Sequence, residues 1–248
     1  MTDKKESGGK GGGRSSLSGG QRQLRVAVKT ARKRSVSSAR WLDRQLNDPY
    51  VTAAKREGLR SRAAFKLREI DAQYNFLKPG QRIIDLGAAP GGWSQIAAER
   101  AKATDGKGQV VAIDYLSFEP IAGVDIIEMD FTDPAAEDLL KSRLRGGRAD
   151  VVLSDMAAPT IGHAKTDHIR IMGLAETAAA FAADVLEPGG VFLCKVLQGG
   201  TERDLLAALK RDFTTVRHVK PPASRSESSE LYVLATGFRG GSASNGIT

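Results

Sequence analysis

Residues 83–95 read IIDLGAAPGGWSQ. An apolar run ends in an acid, a loop of small residues follows, and a helix starts. A strand that stops at a glycine-rich turn before a helix is the opening unit of a doubly wound α/β fold. Similar apolar runs recur as RIIDL (82–86), QVVAID (109–114), DIIEMD (125–130), DVVLSD (150–155) and VFLCKV (191–196). Helix-like segments separate them at 94–102, 134–144, within 166–187 and at 201–212. TTVRHV (214–219) and ELYVLATGF (230–238) close the pattern with no helix between them. The expectation is an α/β fold with a mostly parallel seven-stranded sheet, helices on both faces and an antiparallel terminal strand.

The charge is unevenly spread. Residues 1–60 carry 15 Lys+Arg against 5 Asp+Glu, whereas the other 188 carry 22 against 24. A basic end on a near-neutral domain points to a polyanionic partner, RNA being the commonest, although a solubilising tail would look the same. Residues 1–37 read as a disordered, basic Gly/Ser-rich tail, with too little apolar surface to offset the ordering entropy. The domain is expected at 38–240, with helices at 39–57 and 61–73 in a basic start (38–75), and a flexible C-terminus at 241–248. In the second helix Ala64, Leu67 and Ile70 make an apolar stripe, with Arg60, Arg62 and Lys66 on or beside the other side. The single cysteine, Cys194, excludes a disulfide framework. His163, His168 and His218 lack metal-ligand spacing, so no metal is expected. No apolar run reaches a membrane span, and none resembles a secretory signal.

The loop lacks the G-x-G-x-x-G dinucleotide fingerprint, which disfavours a NAD-dependent oxidoreductase. Gly87, Gly91 and Gly92 permit close backbone approach to a ligand. Asp85, Asp114, Asp130 and Asp155 each fall at or near a strand end, where ligands of such sheets sit. Any one of them could simply cap a turn; four on one rim suggest a site. Asp114 suits two ribose hydroxyls and Asp130 an adenine amino group, a set that fits S-adenosylmethionine better than NAD.

DLGAAPGGWSQ resembles the cofactor loop of the FtsJ-type RNA 2′-O-methyltransferases. RSRAAFKL, LSDMAAP, FLCKV and SESSELYVLATGF resemble further motifs of that family, in the family's order, so the likeness covers about 38–239. The resemblance implies a Rossmann-like methyltransferase fold and methyl transfer from S-adenosylmethionine to a ribose 2′-oxygen. It implies a catalytic set of Lys66, Asp155, Lys195 and Glu230, with Lys195 the proton acceptor. Spacing alone shows only that Lys195 is a charge interrupting an apolar strand, costly unless it faces a site. For the cofactor it implies Gly91, Trp93, Asp114, Asp130 and Asp155, with Asp85, Gly87 and Pro90 lining, although an aromatic such as Trp93 at a helix start is often only packing. RNA contact is expected from Arg60, Arg62 and Arg225, and residues 156–168 are expected to lie over the site.

The branch of the family most like this chain acts on a uridine ribose of large-subunit ribosomal RNA. The expected partner is therefore that RNA or the assembled large subunit, the expected state a monomer, and the expected compartment the bacterial cytoplasm rather than a mitochondrion. The alternatives are a methyltransferase of the tRNA anticodon loop and a non-catalytic RNA-binding assembly factor.

Overall fold

The computed structural model describes residues 36–159, 161–198 and 203–240. The tail expected at 1–37, apart from its last two residues, and the C-terminus expected at 241–248 lie outside the described residues. The chain divides into two units, Met1–Asn47 and Asp48–Thr248. In the first, helix α1 (Val36–Asn47) is described.

The single helix expected over 39–57 is two helices. The second, α2 (Pro49–Arg56), begins where Asp48 takes extended backbone (φ −79°, ψ 116°) and its carboxylate accepts from the Tyr50 N–H. The residue before a proline is pushed out of the helical region, and aspartate is a strong N-cap. Helix α3 (Ala63–Tyr74) follows, and Asn75 in the left-handed region closes it.

The sheet of the second unit is built from β1 (Arg82–Leu86), β2 (Gln109–Asp114), β3 (Val124–Glu128), β4 (Ala149–Ser154), β5 (Leu186–Leu197), β6 (Phe213–Val219) and β7 (Glu230–Phe238). Their order is β3-β2-β1-β4-β5-β7-β6. All neighbours pair in parallel except β7, which runs antiparallel to both β5 and β6. Strand order reverses between β1 and β4, which opens a crevice at their carboxyl ends. Strand β5 begins earlier than the apolar run suggested, because Leu186 already pairs with Ala149 before Pro188–Gly190 interrupt the ladder.

Both faces of the sheet are covered, which is why the strands read as continuous apolar runs. On one face Ile84, Val111, Val152 and Phe192 meet Leu140 of α5 (Ala136–Arg143), Phe181 of α6 (Ala164–Val185) and Leu205 of α7 (Arg203–Asp212). On the other, Ile83, Val110, Leu193 and Tyr232 meet Ala64, Leu67 and Ile70 of α3 and Ile96 of α4 (Gly92–Ala101). The stripe read in α3 is thus its core face. Cys194 points into the first layer and Lys195 away from it, as strand alternation requires. No helix among the described residues is long and apolar enough to cross a membrane.

Phe192 is fully buried at the centre of the first layer. Phe192→Ala is expected to lower the unfolding free energy by about 3–5 kcal/mol, read from urea unfolding with an unchanged slope. A negligible loss would contradict this account of the core.

Candidate active site

The turn from β1 into α4 is shaped by two glycines. Gly87 (φ +74°) holds its Cα where a Cβ would lie 2.7 Å from Met156 Cγ and 2.9 Å from Met156 Cα. Gly91 (φ +103°) caps α4, and a Cβ there would strike the Ile121 side chain at 2.5 Å. Gly87 is required by both its backbone angle and the Met156 backbone against it; at Gly91 the backbone angle strains any other residue.

This turn borders a hollow of about 590 Å³ at the carboxyl ends of the strands. Gly87, Asp114, Asp130 and Asp155 line it, with Tyr115 and Arg170 at its margins. Asp114 hooks the loop to β2: its Oδ2 accepts from the Ala89 N–H at 2.9 Å and its Oδ1 from the Leu116 N–H at 2.8 Å. Asp130 is exposed, and its carboxyl is held below the usual range by the backbone and side-chain donors of Thr132. Of the segment 156–168, residues 156–159 form part of the wall.

Trp93, Pro90 and Asp85, also expected at the cofactor, do not line this hollow. The Trp93 indole is buried, donates to the Ala63 carbonyl at 2.8 Å and packs against Tyr232. Pro90 borders a separate open hollow. Asp85 is fully buried beneath the loop, where Ser94 Oγ donates to its Oδ2 at 2.6 Å and its Oδ1 has no hydrogen-bond partner. Burial pushes its carboxyl up to about 7, against the Ser94 bond, and the charges of Asp155 and Asp114 add to the rise.

The four residues implied as catalytic converge. Lys195 Nζ donates to the Asp155 carbonyl at 2.6 Å and lies 3.2 Å from Asp155 Oδ1. Lys66 Nζ donates to Glu230 Oε1 at 2.6 Å. The two pairs are joined by a residue that sequence reasoning missed. The Tyr232 hydroxyl donates to Asp155 Oδ1 at 2.9 Å and accepts from Lys66 Nζ at 3.1 Å. Burial, and then the charges of Asp155 and Glu230, raise the tyrosine well above its ordinary value, so it keeps its proton and stays a donor. Ser224 Oγ also donates to Glu230 Oε1, at 3.0 Å. Asp155 belongs to both the chain of polar groups and the wall of the hollow.

The arginines expected at RNA are engaged within the second unit. Arg60 donates to the carbonyls of Glu119 and Pro120. Arg62 donates to the Ala223 carbonyl, and its Nε lies 3.1 Å from Asp48 Oδ2. Arg225 Nη2 donates to the same oxygen at 3.1 Å. One buried carboxylate therefore caps α2 and holds two guanidinium groups, tying α3 to the turn before β7. Among the described residues no group of His, Cys, Asp and Glu could hold a metal ion.

The sequence profile described as FtsJ-like methyltransferase matches residues 59–238. The chain is 60% identical, over 98% of both lengths, to a ribosomal RNA large subunit methyltransferase E from Parvibaculum lavamentivorans. It is 65% identical to a protein of the same name from Bradyrhizobium diazoefficiens, over 88% of this chain and 96% of the relative. Among solved structures, one described as a ribosomal RNA methyltransferase from Plasmodium falciparum superposes with a TM-score of 0.65 at 32% identity. That match covers 73% of this chain and 99% of the other.

Asp85 makes stability depend on pH. The folded chain keeps its proton to about pH 7, whereas the unfolded carboxyl releases it near 3.8. The stabilising contribution is therefore full below the unfolded value and is lost as pH rises through the folded one. Asp85→Asn removes that slope. Its urea midpoint relative to wild type should climb between about pH 5 and 8; a constant difference would count against a protonated Asp85.

Proposed function

The chain belongs to the FtsJ-like methyltransferase family, and from that membership we propose that it moves a methyl group from S-adenosylmethionine to a ribose 2′-hydroxyl of large-subunit ribosomal RNA. The observation that carries the reading is the position of Asp155, shared by the hollow and the Lys66–Tyr232–Asp155–Lys195 chain. The hollow fits the cofactor: its volume suits a nucleoside-sized ligand, its glycine wall leaves no room for a Cβ at Gly87, and its donor set is carboxylate-rich. Asp114 would hold the ribose hydroxyls and Asp130 the adenine amino group. When bound, S-adenosylmethionine supplies an electrophilic methyl group on its sulfonium.

The chain's own residues address the other reactant, a hydroxyl that is a poor nucleophile until its proton is leaving. To take up that proton, Lys195 Nζ must act as the free amine, which has two protons and one lone pair. Its two nearest acceptors are the carbonyl and carboxylate of Asp155. With both protons turned to Asp155, the lone pair is left for the 2′-hydroxyl proton, so Lys195 is the acceptor. Asp155 orients that amine and then stabilises the ammonium that forms. Tyr232 and Lys66 hold the Asp155 carboxylate, and Glu230 with Ser224 holds Lys66.

The proposed target is a uridine ribose on the assembled subunit. The positive charge of residues 1–60 favours an RNA partner. Aromatics make up only 6% of the chain, so stacking platforms are few, which favours recognition of a shaped particle over a single-stranded sequence. This reading puts the protein where bacterial ribosomes are, in the cytoplasm.

Incubation with large ribosomal subunits and methyl-labelled S-adenosylmethionine tests the assignment. Lys195→Ala and Asp155→Ala, folded by circular dichroism, should each lose at least about 100-fold in label transfer. Full transfer by both variants, or a preference for naked tRNA, would overturn it.

A further inference from the structure

The segment that follows β2 begins with Asp114, Tyr115 and Leu116, which line the hollow, and continues to Ile121. Tyr115 and Leu116 are 54% and 52% exposed, so burial does little to hold them. The fastening comes from the linker between α2 and α3. Arg60 Nη1 donates to the Glu119 carbonyl at 2.5 Å, Nη2 to the Pro120 carbonyl at 2.7 Å, and Nη1 reaches the Pro90 carbonyl at 3.4 Å. The Arg60 backbone is itself fixed, its N–H donating to Gln95 Oε1 of α4 at 2.8 Å. The glycine loop lies directly beneath: a Cβ at Gly91 would meet Ile121 Cδ1 at 2.5 Å, Arg60 Cδ at 3.2 Å and Phe118 Cε2 at 3.3 Å. One planar guanidinium therefore joins the turn after β1 to the segment after β2. Arg60, Pro90, Glu119 and Pro120 border the separate open hollow, while Gly87 and Ala89 of the same turn and Tyr115 and Leu116 of the same segment line the larger site. The acceptors of Arg60 are carbonyls in a fork, a geometry a lysine cannot reproduce.

We propose that Arg60 is a positioning residue for the cofactor, fastening the 115–121 segment to the glycine loop, and does not serve as a phosphate contact to RNA. The inference rests on the methyltransferase reading of the hollow. Loss of the fork leaves the wall that carries Asp114 less preorganised, so affinity for the cofactor falls while RNA binding does not.

Calorimetric titration of the full-length protein with S-adenosylmethionine, beside binding of large subunits over a salt series, tests this. Arg60→Ala should weaken the cofactor by roughly tenfold, with subunit affinity and its salt slope unchanged. Arg60→Lys keeps the charge but not the fork, so it should fail to restore cofactor affinity. In turnover, both variants should raise KM for S-adenosylmethionine and keep kcat at saturation, a split that general loss of stability would not give. Wild-type cofactor affinity in both variants would overturn the proposal. So would a salt slope reduced by about one in Arg60→Ala and rescued by Arg60→Lys, which marks a phosphate contact. A wild-type chain that fails to bind S-adenosylmethionine would instead refute the methyltransferase reading.

Discussion

The hydrogen bond from the Tyr232 hydroxyl to Asp155 is the contact on which the site depends. Tyr232 is fully buried, so its hydroxyl must find partners inside the protein. It finds one on each side, an ammonium that donates to it and a carboxylate that accepts from it. The chain thereby acquires a direction: Glu230 holds Lys66, Lys66 points at Tyr232, Tyr232 at Asp155, and Asp155 holds Lys195. The sheet makes this possible. Lys195 and Tyr232 are directly opposed in the antiparallel β5–β7 pairing, so their side chains stand on one face. Asp155 follows the last residue of β4 beside them. The α3 stripe packs on that same face and delivers Lys66.

Charge is handled differently in the two halves of the site. Around Lys195 and Lys66 every buried charge has an opposite partner, as a low-dielectric setting demands. Beneath the glycine loop, Asp85 is held by Ser94, and its burial is met by a raised pKa. Asp114 meets the same demand with two backbone donors, one to each carboxylate oxygen. Asp48 shows the pattern away from the hollow, with one carboxylate holding Arg62, Arg225 and the start of α2.

The strands were legible because burial on both faces leaves an unbroken apolar signature; RIIDL and QVVAID of the parallel part and ELYVLATGF, the antiparallel β7, match their strands end to end. Lys195 was legible as a charge out of place in such a run. Tyr232 was not, since an aromatic in a strand reads as core, and its polar role exists only through the β5–β7 register. The intramolecular partners of Arg60, Arg62 and Arg225 were not legible either. The carbonyls and carboxylates around each guanidinium come from segments far apart in sequence, which no local pattern encodes. The α1–α2 break had a readable signal in Asp48–Pro49, overridden by the periodicity around it. Trp93 was found in the right loop, but its direction is set by α3 packing on α4, which no local pattern encodes.

The most direct measurement is the methyl-transfer rate of Tyr232→Phe on large ribosomal subunits, with binding of S-adenosylmethionine and of subunits measured on the same preparation. The substitution keeps the buried ring and removes only the hydroxyl that joins the two charged pairs. Hydrogen bonds to charged groups are worth about 1.5–3 kcal/mol, so kcat should fall on the order of ten- to hundredfold while both affinities hold. A wild-type kcat in a folded Tyr232→Phe protein would contradict the account.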